Sequence, residues 1–232
     1  MVELIESVEL QGMELFSGLP PDELHELAGL LRRTKVPAGT TLISAQVLGE
    51  AVYIVVEGSV RVQLTRESGN EIILALLGPG DIVGEMSLLT GHGRSANVLT
   101  REETTLLWME RRTFLDALVR MPGFCRNLVF TLSRRLQLAN ERFHALAALD
   151  VTGRVARQLI ELAERYGRPV PGEGTKIVFP VTQGELAEMI GATRERVNPI
   201  MVRLRRAALI AVDPESRITV RRPDALAELC RL

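Results

Sequence analysis

Aromatic residues are scarce: six Phe, two Tyr and one Trp make up 4% of the 232 residues. Leu, Val, Ile and Ala must therefore fill any core. Cysteine is almost absent, with only Cys125 and Cys230, far apart and outside any Cys-x-x-Cys or Cys/His cluster. That excludes a zinc ribbon and a four-Cys iron–sulfur site, and both thiols read as reduced rather than as a disulfide. Histidine is nearly as rare. His25, His92 and His144 read as ordinary surface or loop residues, so neither haem nor metal is expected. No run approaches the ~20 apolar residues of a membrane span, and no membrane partner is expected. The acidic start Val2-Glu3-Leu4-Ile5-Glu6 lacks the basic and apolar stretches of a signal peptide. The expectation is a cytoplasmic protein. No Ser/His/Asp set, Walker loop or metal cluster is present, so an enzyme is not expected.

What is there is a balanced composition, 46% apolar and 25% charged, sufficient for one or two domains. The net charge of −1 is unevenly spread. Residues 1–150 carry 14 basic against 19 acidic side chains, a net of −5, and residues 151–232 carry 14 against 10, a net of +4. The basic third points to a polyanion partner; chance unevenness gives the same numbers.

Along the chain, leucines at helical spacing behind Pro20-Pro21-Asp22 predict a helix within 14–33. Short β-rich runs follow: Thr40–Ile43, Ala51–Val56, Ser59–Leu64, Glu71–Leu77, Asp81–Val83, Ala96–Leu99 and Thr105–Met109. Glycines, among them Gly58, Gly69 and Gly78, punctuate them about every ten residues. This rhythm predicts a jelly-roll β-domain, and the absence of a helix of ten residues within it disfavours a doubly wound fold. A short helix over Arg112–Met121 should end at Pro122-Gly123. Phe124–Leu149 then runs without Pro or Gly, and Val129, Leu132, Leu136, Ala139, Phe143 and Leu146 are spaced 3, 4, 3, 4, 3. That is the a/d seam of a coiled coil. A core helix gives the same stripe, but the opposite face (Ser133, Arg134, Arg135, Glu141, Arg142) is polar, which favours a homodimer seam.

The remainder reads as a helix over Val151–Tyr166 with Asp150 as N-cap, a loop over Arg168–Thr175 and a strand over Ile177–Pro180. Thr182-Gln183-Gly184-Glu185 is a capping box opening a helix to Ile190. Gly191-Ala192-Thr193 separates this helix from a second one, Arg194 to about Ala207. A hairpin around Asp213-Pro214-Glu215-Ser216 follows. This is the pattern of a winged helix-turn-helix. Leu186, Ala187, Ile190, Val197, Met201 and Leu204 should pack the two helices together. Arg194, Glu195, Arg196 and Asn198 stay free for base edges, where Arg can fork onto guanine and Glu can accept from cytosine. Thr182 and Thr193 sit at the two helix starts, and Thr182 suits a phosphate contact. A solvated charged helix is the plain alternative.

A second constellation lies in the β region. Asp81-Ile82-Val83-Gly84-Glu85-Met86 is followed by Arg94-Ser95-Ala96. Gly84 admits close backbone approach. Glu85 can accept from a ribose hydroxyl, and Arg94 with Ser95 offers a phosphate-binding set. Leu74 and Met86 join the candidate ligand set. An ion pair between Glu85 and Arg94 accounts for the residues equally well.

Taken together and in order, several segments resemble the cyclic AMP receptor protein/fumarate–nitrate regulator family of bacterial transcription regulators, closest to the cyclic AMP receptor branch. They are Gly84-Glu85-Met86-x-Leu88, Arg94-Ser95-Ala96, Arg134-Arg135-Leu136, Leu149-Asp150-Val151-Thr152-Gly153-Arg154 and Thr193-Arg194-Glu195-Arg196-Val197. The resemblance covers nearly the whole chain. It implies an α+β architecture: a cyclic-nucleotide-binding β-roll over 1–123, a dimerisation helix over 124–149 and a winged helix-turn-helix DNA-binding domain over 150–232. It implies a homodimeric, sequence-specific regulator under cyclic AMP control, binding palindromic double-stranded DNA and acting on RNA polymerase at promoters. Gly84, Glu85, Arg94 and Ser95 would hold the ribose and cyclic phosphate, and Arg194 and Glu195 would read bases. The fumarate–nitrate branch needs a Cys cluster that is missing.

Two positions depart from the family pattern. Ala139 and Asn140 stand where its cyclic AMP binders carry a Thr-Ser pair that meets adenine; Asn140 can still donate and accept, but the Thr hydroxyl is gone. Pro199 stands where the family usually has a base-contacting Arg, so the base opposite it is expected to be nearly free. From a different class, a cyclic-nucleotide-binding interaction module with a protein-docking helical tail fits the same motifs, as does an effector-independent regulator with a vestigial pocket.

Overall fold

The computed structural model describes residues 5–65 and 71–230. The acidic start at Val2, Glu3 and Leu4 and the turn at Gly69 lie outside them. The chain divides into two compact units, at Leu136/Gln137.

The first unit opens with α1 (Ser7–Gln11), a 3-10 turn (Glu14–Phe16) and α2 (Pro21–Leu30). The predicted helix over 14–33 is thus broken at Gly18, which takes φ +68°, and it stops at Leu30. Beyond it β1 (Arg32–Val36) is a strand that the leucine spacing hid. Next come β2 (Thr41–Ile43), β3 (Ala51–Glu57), β4 (Val60–Thr65), β5 (Glu71–Leu77) and β6 (Ile82–Val83). A six-residue helix α3 (Glu85–Thr90) precedes β7 (Asn97–Thr100) and β8 (Thr104–Glu110). Two four-stranded antiparallel sheets result, ordered β1-β8-β3-β6 and β2-β7-β4-β5.

Strand alternation builds two cores in this unit. Val55 and Leu106 join Ile43, Val60, Leu77, Val83 and Val98 inside the roll. Val52, Ile54, Leu107 and Met109 face the other way, onto Leu24, Leu27, Phe114 and Phe124 of the helices. Three of the aromatics meet there: Phe124 stacks on Phe16 at 5.8 Å and meets Phe114 edge-on at 6.1 Å.

Helix α4 (Arg111–Arg120) leads to α5 (Pro122–Ala148), 27 residues long. Pro122 and Gly123 do not form a break of their own. Pro122 opens α5, because a proline fits the first turn of a helix, where its missing N–H is not needed.

In the second unit Asp150 caps α6 (Val151–Tyr166), its Oδ1 accepting from the Gly153 N–H at 2.8 Å. The predicted loop over Arg168–Thr175 is instead a hairpin of β9 (Gly167–Val170) and β10 (Gly174–Ile177), and the strand expected over Ile177–Pro180 ends at Ile177. Gly172 and Gly174, at φ +74° and +109°, turn that hairpin. After it come α7 (Gln183–Met189), α8 (Arg194–Arg206), β11 (Ile210–Val212), β12 (Ile218–Val220) and α9 (Pro223–Glu228), the last not expected from sequence. The sheet order is β11-β12-β10-β9. No helix among the described residues is long and apolar enough to cross a membrane.

Candidate ligand site and nucleic-acid interface

The ligand candidates converge on the turn between β6 and α3. Gly84 takes φ +92°, and a Cβ there would lie 2.6 Å from an Arg94 nitrogen and 2.9 Å from the Ile43 side chain. Only glycine fits that conformation and that crowding. Glu85, the first residue of α3, is 2% exposed. Its Oε1 accepts from Arg135 Nη1 at 2.8 Å, and Arg135 Nη2 donates to the Ile82 carbonyl at 2.5 Å. Asp81 lies 3.6 Å from the same guanidinium. Burial pushes the Glu85 carboxyl up from its ordinary range, with Arg135 pulling the other way.

Arg94 is 8% exposed. It does not take the Glu85 carboxylate as its partner. Its Nη1 donates to the Gly84 carbonyl and to Ser87 Oγ, at 2.9 Å for the latter, and its Nη2 donates to the Ala51 carbonyl at 2.6 Å. All three acceptors are neutral. Burial lowers the Arg94 pKa, opposed by Tyr53 and Glu85, but a guanidinium stays charged. The site is thus a buried cation on neutral acceptors next to a buried carboxylate held by a different arginine. Ser95, Met86 and Leu74 are exposed, as are Ala139 and Asn140 on α5.

Arg135 and Gly49 were not among the candidates. Arg135 appeared only as part of a motif, in a chain rich in arginine. A Cβ at Gly49 would lie 2.6 Å from Ser87 Oγ and 2.8 Å from Arg94 Cζ, so its bareness makes room for the tucked guanidinium. Among the described residues, no group of three or more His, Cys, Asp or Glu side chains could hold a metal ion.

The second constellation is built on α7 and α8. Thr182 Oγ1 accepts from the Glu185 N–H at 3.2 Å, and Glu185 Oε2 accepts from the Thr182 N–H at 2.9 Å, a closed capping box. Gly191, at φ +63°, makes the turn between the helices. Leu186, Ala187, Ile190, Val197, Met201 and Leu204 are all buried. Thr182, Thr193, Arg194, Glu195, Arg196 and Asn198 are exposed. The Glu195 carboxylate turns back onto its own N–H and the Thr193 hydroxyl, which lowers its pKa.

A β-roll with a buried charge pocket, followed in the chain by a winged helix-turn-helix, defines a ligand-sensing DNA-binding regulator. Residues 33–120 match the family model of the cyclic nucleotide-binding domain, and residues 153–229 that of the Crp-like helix-turn-helix domain. The chain is 33% identical over 220 residues to the cyclic AMP receptor protein of Thermus thermophilus, covering 95% of this chain and 98% of that one. It is 32% identical over 184 residues to the CRP-like cAMP-activated global transcriptional regulator of Mycobacterium tuberculosis, covering 79% and 82%. The solved structure of FixK2 from Bradyrhizobium japonicum shares the fold, with a TM-score of 0.76 at 21% identity over 87% of this chain and 98% of that one. The chain belongs to the cyclic AMP receptor protein/fumarate–nitrate regulator family of transcription regulators, a family of DNA-binding proteins and not of enzymes.

Proposed function

We propose that the protein is a homodimeric, cytoplasmic transcription regulator whose DNA binding is controlled by cyclic AMP and which acts on RNA polymerase at promoters. The observation that carries the ligand half is Arg94, a buried guanidinium that meets only neutral acceptors. Glu85 attracts this guanidinium but is itself held by Arg135, and a cyclic phosphate would bring an anion into direct contact with the buried charge. Glu85 stands beside it to accept the ribose hydroxyls, with Gly84 and Ser95 offering backbone and hydroxyl contacts. The names of the Thermus and Mycobacterium relatives support cyclic AMP as the nucleotide. Ala139 and Asn140 are proposed for the base, and Leu74 and Met86 as apolar neighbours of the ligand.

The dimer reading rests on α5. Leu136 and Phe143, one heptad apart, are 63% and 72% exposed, and Val129 and Leu146 are exposed on the same stripe. An apolar row of this length is covered most simply by its own copy, seam against seam. Functionally, residues 1–123 then sense, 124–149 join the subunits and 150–232 bind DNA. Two copies of α8, related by a two-fold axis, would enter successive major grooves ~34–36 Å apart, so the site is an inverted repeat. Thr193, Arg194, Glu195, Arg196 and Asn198 would line the base-reading start of α8, with Thr182 near the phosphates.

Titration calorimetry with cyclic AMP tests the ligand half. Wild-type protein should bind, and Arg94→Leu should lose about 1.5–3 kcal/mol of binding, as for a hydrogen bond to a charged group. Equal affinity of the two proteins would overturn the assignment. Equal DNA binding with and without nucleotide would mean a pocket that serves no cyclic AMP switch.

A further inference from the structure

The outward face of α8 has an apolar centre. Val197, Met201 and Leu204 are buried and define the inward side of the helix. At about 100° per residue, the opposite side is the row Glu195, Pro199, Val202, Arg206, spaced 4, 3, 4. The helix runs unbroken from Arg194 to Arg206 through Pro199, so the proline ring keeps its place in the row. Pro199 is exposed and Val202 is half-buried. Neither side chain carries a hydrogen-bonding group. The charged and amide side chains flank this centre, with Arg194 and Asn198 to one side and Arg196 and Arg203 to the other. At the head of the row, Glu195 is occupied with its own N–H and the Thr193 hydroxyl.

In the major groove only thymine presents an apolar group, its C5-methyl. We infer that Pro199 and Val202 select thymine in each half-site by packing against C5-methyl groups, beside the base pair that Arg194 reads. This rests on the reading of α8 as the base-reading helix. It makes the base opposite Pro199 a constrained position, in contrast to the free one expected where an arginine is lost.

The test uses full-length protein with cyclic AMP and a duplex selected from a random pool. Each thymine of the half-site is replaced in turn by deoxyuridine, which removes the methyl and leaves the pairing intact. The expected result is at least one thymine per half-site whose replacement weakens binding about fourfold, and about fifteenfold in both half-sites together, the scale of one buried methyl group per site. That penalty should vanish in Pro199→Asn or in Val202→Asn, each of which replaces the apolar surface at the contact with an amide. A selective duplex indifferent to every thymine methyl overturns the inference, as does a methyl dependence untouched in both variants. Arg194→Ala separates the two levels. If it relaxes selectivity while methyls do not matter, α8 still reads bases and only the thymine assignment falls. If no selective duplex emerges and Arg194→Ala changes nothing, the reading of α8 falls and the inference with it.

Discussion

The two charged constellations of this chain are built on opposite principles. In the β-roll, Glu85 and Arg94 are 2% and 8% exposed; Arg135 holds the Glu85 carboxylate, and Arg94 donates to Gly84, Ser87 and Ala51. On α8, Arg194, Glu195, Arg196 and Asn198 are all exposed. A sensor for a small ligand needs charges already stripped of water and locked in place, because a cyclic nucleotide offers few contacts and each must count. A surface that meets a polyelectrolyte needs many solvated charges, each weak alone, whose effect sums through counterion release. The charge balance of the chain follows this division, with the excess of positive charge confined to residues 151–232.

If the contrast holds, the largest effects belong to the buried set. Arg135→Ala leaves Glu85 buried without its partner and should destabilise the N-terminal unit by about 3–5 kcal/mol, read by chemical denaturation. Adding Glu85→Gln to that variant should recover most of the loss; no recovery would mean that Arg135 acts through packing. On α8, Arg194→Ala should leave stability within about 0.5 kcal/mol while costing about 1–3 kcal/mol of specific DNA affinity at one symmetric position, read by titration against matched and mismatched duplexes. A large stability loss there would erase the distinction between the two sets. Thr182→Ala, which opens the capping box of α7, should cost about 1 kcal/mol of stability.

The buried carboxylate also predicts a pH response opposite in sign to that of the exposed Glu195, whose pKa is lowered. Burial raises the Glu85 pKa in the folded protein, so the folded state holds that proton more tightly than the unfolded chain does. Its contribution favours the fold at acid pH and is lost as pH rises from the ordinary carboxylate range through the raised value. Glu85→Gln should remove this slope from a stability–pH profile. Ribose hydroxyls donate to the ionised form, so nucleotide affinity should weaken as pH falls through the raised Glu85 pKa and should be flat in Glu85→Gln. An unchanged profile in the variant would place the titration elsewhere.

Much of this was legible in the sequence because local chemistry and tertiary role agree. The capping box at Thr182–Glu185, the Asp150 cap and the buried positions of α7 and α8 follow from helix periodicity alone. Where they conflict, the sequence misled. Four of the five residues of Arg32–Val36 are polar because the strand lies at the sheet edge, paired on one side with β8, and its first two fall within the span predicted as helical. Arg168–Thr175 reads as a loop because its Pro and Gly residues outnumber its β-formers. In the ligand site, the types of residue were readable but their partners were not. Spacing leaves a ligand set and a Glu85–Arg94 ion pair equally open, and only the fold shows that Arg135, fifty residues away in sequence, holds the carboxylate while Arg94 donates to neutral acceptors.

The central claim is that the pocket and the DNA surface are two ends of one equilibrium. Its most direct test is calorimetry of cyclic AMP binding to the full-length protein, alone and saturated with its inverted-repeat duplex, alongside the DNA affinity measured with and without nucleotide. Linkage requires the two factors to be equal. The account predicts that DNA tightens cyclic AMP binding by the same factor, greater than one, by which cyclic AMP tightens DNA binding. Identical nucleotide affinity in the presence and absence of DNA would contradict it.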